Sequence, residues 1–430
     1  MRKKIIIRGP ALSRSGYGEQ TRFALRSLRR FEERFDIHLI NVGWGQTSWL
    51  ATDDEERRWI DHLIHKTITA NQKPNPQYDI SIQVTIPNEW EKIAAYNIGF
   101  TAGIECSKIA PVWVEKSNMM DKIIVVSNHA KFGFEDTMYH AENRETGEKY
   151  PEYKCDTPIA VASFPVRTLV PEIPDLDLQT KNNFLFVAQN GPRKNLENTI
   201  KWFVEEFKDD STTGLVLKTF GMDTSIIDNE RTTALIQKII AGTKLAQDDI
   251  KCHVYLLHGE MTEEELHGLY VHPRMTAIIN IAHGEGFGLP LFEAACAGLP
   301  VVTIEWGGQL DFLYAPKKKK GSNKTKSRPH FVRVDYDLAP VQKEALWEGV
   351  IIPEALWAFA REGSFKKALR STIKEHKVYK SNAKKLKKYI TERFSFENQS
   401  KIFADAVWVP AEAGVIEAPV AELTQVQTFE

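Results

Sequence analysis

At 430 residues the chain is too long for one ordinary hydrophobic core and predicts two to three domains of roughly 150 residues each. With 42% hydrophobic and 26% charged residues, it is neither a disordered nor a fibrous sequence. The 56 basic and 57 acidic residues nearly cancel to a net charge of −1, which excludes the global basic field of a nucleic-acid coat but leaves local basic patches open.

The four cysteines, Cys106, Cys155, Cys252 and Cys296, stand singly, with no Cys-x-x-Cys pair. That spacing argues against a zinc site or a disulfide framework and for reduced thiols in a cytoplasmic protein. The N-terminal apolar run is only Ile5 to Ile7, too short for a signal-peptide core, and no stretch approaches the ~18 apolar residues of a transmembrane segment. A soluble protein is expected.

In chain order, Lys4–Ile7 predicts a buried strand, Gly9–Gly18 a loop of small residues, and the stretch from about Glu19 a helix. Phe23, Ala24, Leu28 and Phe31, with Ser27, fall on one side of that helix. Further strands are predicted at His38–Val42, Asp79–Val84, Asn97–Ala102 and Lys122–Val126. Residues 165–180, rich in Pro and Asp, read as a seam, after which the pattern restarts with a strand at Phe184–Ala188. Asn195 is the expected N-cap of a following helix whose Leu196, Ile200, Phe203, Val204 and Phe207 share a face. Strands recur at Gly214–Thr219, His253–Leu257, Ala277–Ile281 and Val301–Ile304. Alternating strands and helices argue for parallel sheets covered on both faces, in two successive α/β modules, with ligands at the strands' carboxyl ends. Residues 317–328, KKKKGSNKTKSR, carry seven positive charges and no negative ones and predict an exposed loop. A mostly helical region follows at about 353–407, and the last ~20 residues predict a tail.

The most informative run is HGEGFGLPLFEAACAGLP, residues 283–300. The loop Gly284-Glu285-Gly286-Phe287-Gly288 lets backbone approach a ligand, and the helix after it points free N–H groups at an anion. Pro290 suits the helix's first turn and Gly298 its stop. Glu285 in the loop and Glu293 in the helix supply two carboxylates, suited to sugar and ribose hydroxyls because hydroxyls donate hydrogen bonds.

The segment EGFGLPLFE, with seven residues between its glutamates, followed by AACAGLPVV, resembles the donor-site signature of the retaining glycosyltransferases of family four. FLFVAQNGPRKNLENTIKWF is similar to that family's strand, basic pair and helix, and IGFTAGIECSKIAPVWVEKSNMMDKIIVVSNHAKFGF to its N-terminal domain. The resemblance covers most of residues 5–310 and is strongest over 184–310. It implies an α/β fold of GT-B type, two Rossmann-like parallel-sheet domains facing each other across a cleft. The expected division is 1–176 for an acceptor domain, 177–355 for a nucleotide-sugar donor domain, 356–408 for helices crossing back, and 409–430 for the tail.

The resemblance further implies that Arg193, Lys194 and Glu285 are catalytic, the cationic pair holding the leaving diphosphate. Donor binding would fall to Gly16, Gly18, Lys218, Gly286, Phe287, Gly288, Leu289 and Glu293, and the base pocket to His258, Gly259 and Met261. SRSGYGEQTR keeps Gly16 and Gly18, but Gln20 and Thr21 stand where a dinucleotide fingerprint carries on to its third glycine, which disfavours an NAD site. Glu105 and Ser127 are acceptor-side candidates on the rim of the cleft. The implied reaction is metal-independent, needs no cofactor besides the nucleotide diphosphate sugar as substrate, and proceeds with retention by same-face substitution.

The acceptor is open: a glycan, a lipid phosphate, a phosphorylated glycan or hydroxymethylated bases in phage-type DNA. The basic segments 317–328 and 366–388 and the Arg22, Arg26, Arg29 and Arg30 cluster are candidates for an anionic acceptor; the alternative is solvated faces. Two other readings stand beside transfer: a non-catalytic GT-B-like binding subunit, against which the retained charged residues count, and a sugar-nucleotide epimerase.

Overall fold

The computed structural model describes residues 2–45, 47–73, 76–142, 147–318 and 325–408. The expected tail at 409–430 lies outside the described residues. Two compact units are interleaved along the chain, not consecutive: Met1–Pro165, Pro340–Leu356 and the chain from Phe396 onward make the first, and Val166–Ala339 with Trp357–Ser395 the second.

The first unit holds a six-stranded parallel sheet of β1 (Lys3–Gly9), β2 (Phe35–Asn41), β3 (Ile80–Gln83), β4 (Tyr96–Thr101), β5 (Lys122–Val125) and, beyond a hairpin, β8 (Ile159–Val161). The hairpin, β6 (Met138–Glu142) with β7 (Lys149–Lys154), forms a separate two-stranded sheet. The sheet order is β2-β1-β3-β4-β5-β8. Ile5, Ile6 and Ile7 are buried, as the sheet's burial on both faces requires. Its helices are α1 (Gly16–Arg29), α2 (Glu55–Asn71), α3 (Pro111–Asn118) and α4 (Asn128–Glu135). Helix α1 starts three residues before the expected Glu19, because the Ser15 hydroxyl accepts from Gly18 N–H at 3.0 Å and caps it.

The second unit repeats the plan with β9 (Asn182–Gln189), β10 (Thr213–Phe220), β11 (His253–Leu257), β12 (Met275–Asn280) and β13 (Val301–Ile304). A hairpin of β14 (Tyr314–Lys318) and β15 (Thr325–Pro329) precedes the sixth sheet strand, β16 (Val332–Val334). The order β11-β10-β9-β12-β13-β16, parallel at every pairing, is that of a Rossmann sheet. The expected exposed loop at 317–328 is thus partly the antiparallel hairpin, while 319–324 lie outside the described residues. Helices α5 (Leu196–Phe207), α6 (Ile226–Ala241), α7 (Glu263–Val271), α8 (Leu289–Ala297) and the short α9 (Leu310–Leu313) belong to this unit. In α5, Leu196, Ile200, Phe203, Val204 and Phe207 are all buried, and the Phe203 and Phe207 rings pack on Phe184 of β9.

The helical region expected from 353 begins instead with a strand. β17 (Tyr336–Pro340) pairs with β18 (Leu356–Ala360), whose short apolar run LWAFA carries no helical period. Then come α10 (Glu362–Lys374), α11 (His376–Arg393) and α12 (Phe396–Val407). Of these only α12 belongs to the first unit, where Phe403 packs 5.4 Å from Phe23 and 5.1 Å from Phe100. Helices α10 and α11 stay with the second, so the stretch 356–408, expected to cross back as one piece, is divided between the two units.

Candidate functional site

In a sheet of order 3-2-1-4-5-6 the chain leaves strands 1 and 4 toward opposite faces, which opens a crevice at their carboxyl ends. In the second unit those strands are β9 and β12, and their exits carry Arg193–Lys194 and the glycine loop. After β9 a single 3₁₀ turn, Pro192–Lys194, leads to Asn195 at φ 54°, ψ 40°. Asn195 stands at the expected N-cap position but makes no side-chain cap; in this left-handed conformation its Nδ2 donates to the Ile281 carbonyl at 3.1 Å, tying the two exits together. The His283 N–H donates to the Arg193 carbonyl at 2.8 Å and adds a second tie.

The side chains then converge. Arg193 Nη1 donates to the Gly284 carbonyl at 2.7 Å and to Glu285 Oε2 at 3.2 Å, and Lys194 Nζ donates to Glu285 Oε1 at 2.7 Å. Asn280, which the motif did not single out, donates to the same Oε1 at 2.9 Å. Glu285 is 5% exposed. Burial alone would raise its carboxyl, but the Lys194 and Arg193 charges, with hydrogen bonds from Lys194 and Asn280, hold it down at about 2. It is ionised, and both oxygens already accept hydrogen bonds, so its first task is to fix two cations rather than to stand open to a sugar.

The loop's other members divide. Gly288, at φ 84°, is the left-handed residue before α8 and lies against Glu285 and Gln309, with Leu289 and Pro290 opening the helix. Gly286 is buried in the loop. Phe287 points inward: its ring lies 5.1 Å from Phe292 and 5.2 Å from Phe312, and it is 4% exposed. It supports the loop from the core. Glu293, one face along α8, accepts from the buried Tyr270 hydroxyl at 3.0 Å. Burial, reinforced by Glu293, pushes the Tyr270 phenol well above its usual value, so it stays a donor. His283 stacks on Trp357 at 5.2 Å, and its Nδ1 meets the Ala358 carbonyl at 3.0 Å; burial first, then Arg193, keep the ring neutral despite that carbonyl.

One and two strands over, β10 and β11 end at the expected base pocket. Lys218 Nζ donates to the Gly259 carbonyl at 2.5 Å. Burial pushes its ammonium down against the pull of Glu260 and Glu265. The His258 side chain is not open to a ligand: its Nε2 lies 2.8 Å from Asp228, and both groups are buried. Asp228 also accepts from Gly221 and Met222 N–H; against the raising effect of burial these contacts bring it to about 2. Gly259, at φ 101°, and the half-buried Met261 remain on the loop. Among the described residues no three His, Cys, Asp or Glu side chains gather within reach of one metal ion.

In the first unit Gly16 opens α1, and Gly18 sits against the Ser13 carbonyl, where a Cβ would approach to 2.0 Å. Tyr17, one residue on, hydrogen-bonds Thr101 at 2.7 Å; burial raises its phenol, with a further push from the charge of Glu105. Ser127 is fully buried and accepts from Ala130 N–H at 3.1 Å as the cap of α4, so it lies under the surface and not on a rim. The arginine cluster of α1 belongs to the fold. Arg22 is buried on the Ala11 and Ser13 carbonyls, Arg26 pairs with Glu19 and Glu56, Arg29 with Glu55, and Arg30 lies over the Phe396 ring.

No family model matches the chain, and no curated protein matches it. Solved structures do. Sucrose-phosphate synthase from Thermosynechococcus elongatus superposes with a TM-score of 0.58 at 11% identity, over 94% of this chain and 98% of that one. Anabaena HepE in complex with UDP and glucose gives 0.55 at 11% identity over 94% and 99%. A UDP-forming trehalose-phosphate synthase from Burkholderia xenovorans gives 0.55 at 11% over 95% and 99%. The chain has the GT-B fold, with two Rossmann-like parallel-sheet units, as the sequence resemblance implied. Among the described residues no helix is long and apolar enough to cross a membrane.

Proposed function

We propose that the protein is a retaining glycosyltransferase that moves a sugar from a nucleotide diphosphate sugar to a hydroxyl acceptor. The observation that carries this reading is the cluster of Arg193 and Lys194 on the buried carboxylate of Glu285, at the carboxyl ends of β9 and β12 and beside the α8 N-terminus. In the reaction the bond from the anomeric carbon to the diphosphate oxygen breaks, the acceptor oxygen bonds to that carbon from the same face, and a leaving phosphate oxygen takes the acceptor's proton. Negative charge builds on the diphosphate, where a cationic pair already fixed in place needs no reorganisation; each such contact is worth about 3 kcal/mol in the transition state. Glu285 holds the pair, Gly286 and Gly288 let backbone N–H groups approach, and Glu293 reaches ribose hydroxyls. Neighbours of the same fold that carry UDP and glucose, or form UDP, support the donor class.

Incubation with a panel of nucleotide sugars and candidate acceptors, followed by nucleotide release and the anomeric configuration of the product, tests the proposal. Arg193→Ala and Lys194→Ala are each expected to lower kcat about a hundredfold. Wild-type turnover in both would sink the reading. Isomerised donor without acceptor consumption would replace it with an epimerase, and donor binding without turnover with a binding subunit.

A further inference from the structure

The basic residues outside the donor site fall into two kinds. Lys366 closes on Glu205 and Glu362, and Arg370 on Glu206, so these cations hold α10 to α5. Those of the β14–β15 hairpin and of α11 are different. Among the described residues, Lys317, Lys326, Arg328, Lys385 and Lys388 have no carboxylate within 4.0 Å. Three of them, Lys317, Lys385 and Lys388, line one groove of about 330 Å³ within the second unit, with His330, Tyr389 and Glu392 among its other walls.

The hairpin register brings its charges together. Lys317 pairs with Lys326 and Ala315 with Arg328, which puts all three cations on one face of the ladder, with Lys317 the one that lines the groove. Like charges directly opposite each other destabilise a two-stranded ladder. The same crowding recurs on α11. Six lysines, Lys377, Lys380, Lys384, Lys385, Lys387 and Lys388, precede its single acid, while Ala383, Leu386 and Ile390 anchor it. Burial, then Lys384 and Lys387, depress the Lys380 ammonium. From Lys377 to Lys388 the row runs about 16 Å along a rigid helix.

A single phosphate can engage one or two of these cations and leave the rest repelling one another. A duplex, with one charge per about 1.7 Å of its axis, matches a row of that length and releases its counterions on contact. A membrane surface fits less well: Val378 is the one large exposed apolar side chain of α11 among the described residues, with no apolar stripe beside the lysines. We propose that the hairpin–α11 groove docks the phosphate backbone of double-stranded DNA. The assignment does not rest on the transferase reading, because binding is measured with no donor present.

The probe is a labelled duplex of about 24 base pairs, titrated with the full-length protein between about 50 and 200 mM salt. With five cations engaged, log K against log salt is expected to fall with a slope of about −4 to −5, a loss of several hundredfold across that range. Lys385→Glu with Lys388→Glu should move the slope about two units toward zero and cut low-salt affinity at least about tenfold. Lys181→Glu, exposed elsewhere on the same unit, should change neither. A second pair, Lys317→Glu with Arg328→Glu, makes the same test from the hairpin should the α11 pair not fold. No duplex binding at 50 mM salt overturns the proposal, as does binding indifferent to both pairs. Groove-dependent binding to phosphatidylserine vesicles with none to DNA overturns it in favour of a membrane.

Discussion

Lys194 Nζ and Glu285 Oε1 meet at 2.7 Å across 91 residues of sequence, and Arg193 closes on the other oxygen of the same carboxylate. The contact is an ion pair buried at its acidic end, so removing the acid strands two cations. It also links stability to pH. Glu285 falls from 4.5 to about 2 on folding. Its folded value is depressed, so its contribution is complete above pH 4.5 and is lost as pH falls toward 2. A shift of that size corresponds to about 3 kcal/mol. Glu285→Gln should therefore be less stable at pH 7 and show a shallower loss of stability between about pH 5 and 2, read from urea denaturation at several pH values. Parallel wild-type and variant curves across that window would contradict the linkage.

Gly16 and Gly18 separate a ligand contact from a packing constraint. A Cβ at Gly18 would press on the Ser13 carbonyl at 2.0 Å, whereas nothing lies within 4 Å of one at Gly16. Gly18→Ala is expected to cost about 1–3 kcal/mol through overpacking, and Gly16→Ala to leave stability unchanged or raise it by up to about 1 kcal/mol. Thermal melting distinguishes them. Loss of nucleotide-sugar turnover in a fully stable Gly16→Ala protein would then report a ligand at the loop.

Phe287 separates loop support from ligand contact in the same way. Phe287→Ala opens a space between Phe292 and Phe312 and should cost about 3–5 kcal/mol, while Phe287→Leu should cost less than about 1.5. Because the ring faces the core, the Leu variant should bind nucleotide within a few-fold of wild type by calorimetry. A large affinity loss at near-native stability would put the ring on the ligand instead.

Much of this plan can be read from the sequence because its signals are local and periodic. The apolar runs at Ile5–Ile7 and Phe184–Phe186 are buried strands, and the α5 face from Leu196 to Phe207 is core. The glycine loop and the basic pair are found from residue types, and the structure joins them. What sequence conceals is pairing between distant groups. Nothing local marks Lys194 as a partner of Glu285, or Asp228 as the partner that closes the His258 side chain. Charge runs mislead for the same reason: Arg26 reads as part of a basic patch until Glu56 arrives beside it. Asn195 fits the cap rule by type, yet its left-handed backbone turns the amide toward Ile281.

The return of α12 to the first unit bears on how the chain is made. Its Phe403 completes a core whose other members, Phe23 and Phe100, are synthesised far earlier. Between Pro165 and Phe396 lie about 230 residues, mostly those of the other unit, which at about 5–20 residues per second take roughly 10–50 s to emerge. Through that interval Phe23 and Phe100 lack the Phe403 ring that packs on them in the folded unit. A ribosome that stalls before Phe396 leaves the first unit without α12.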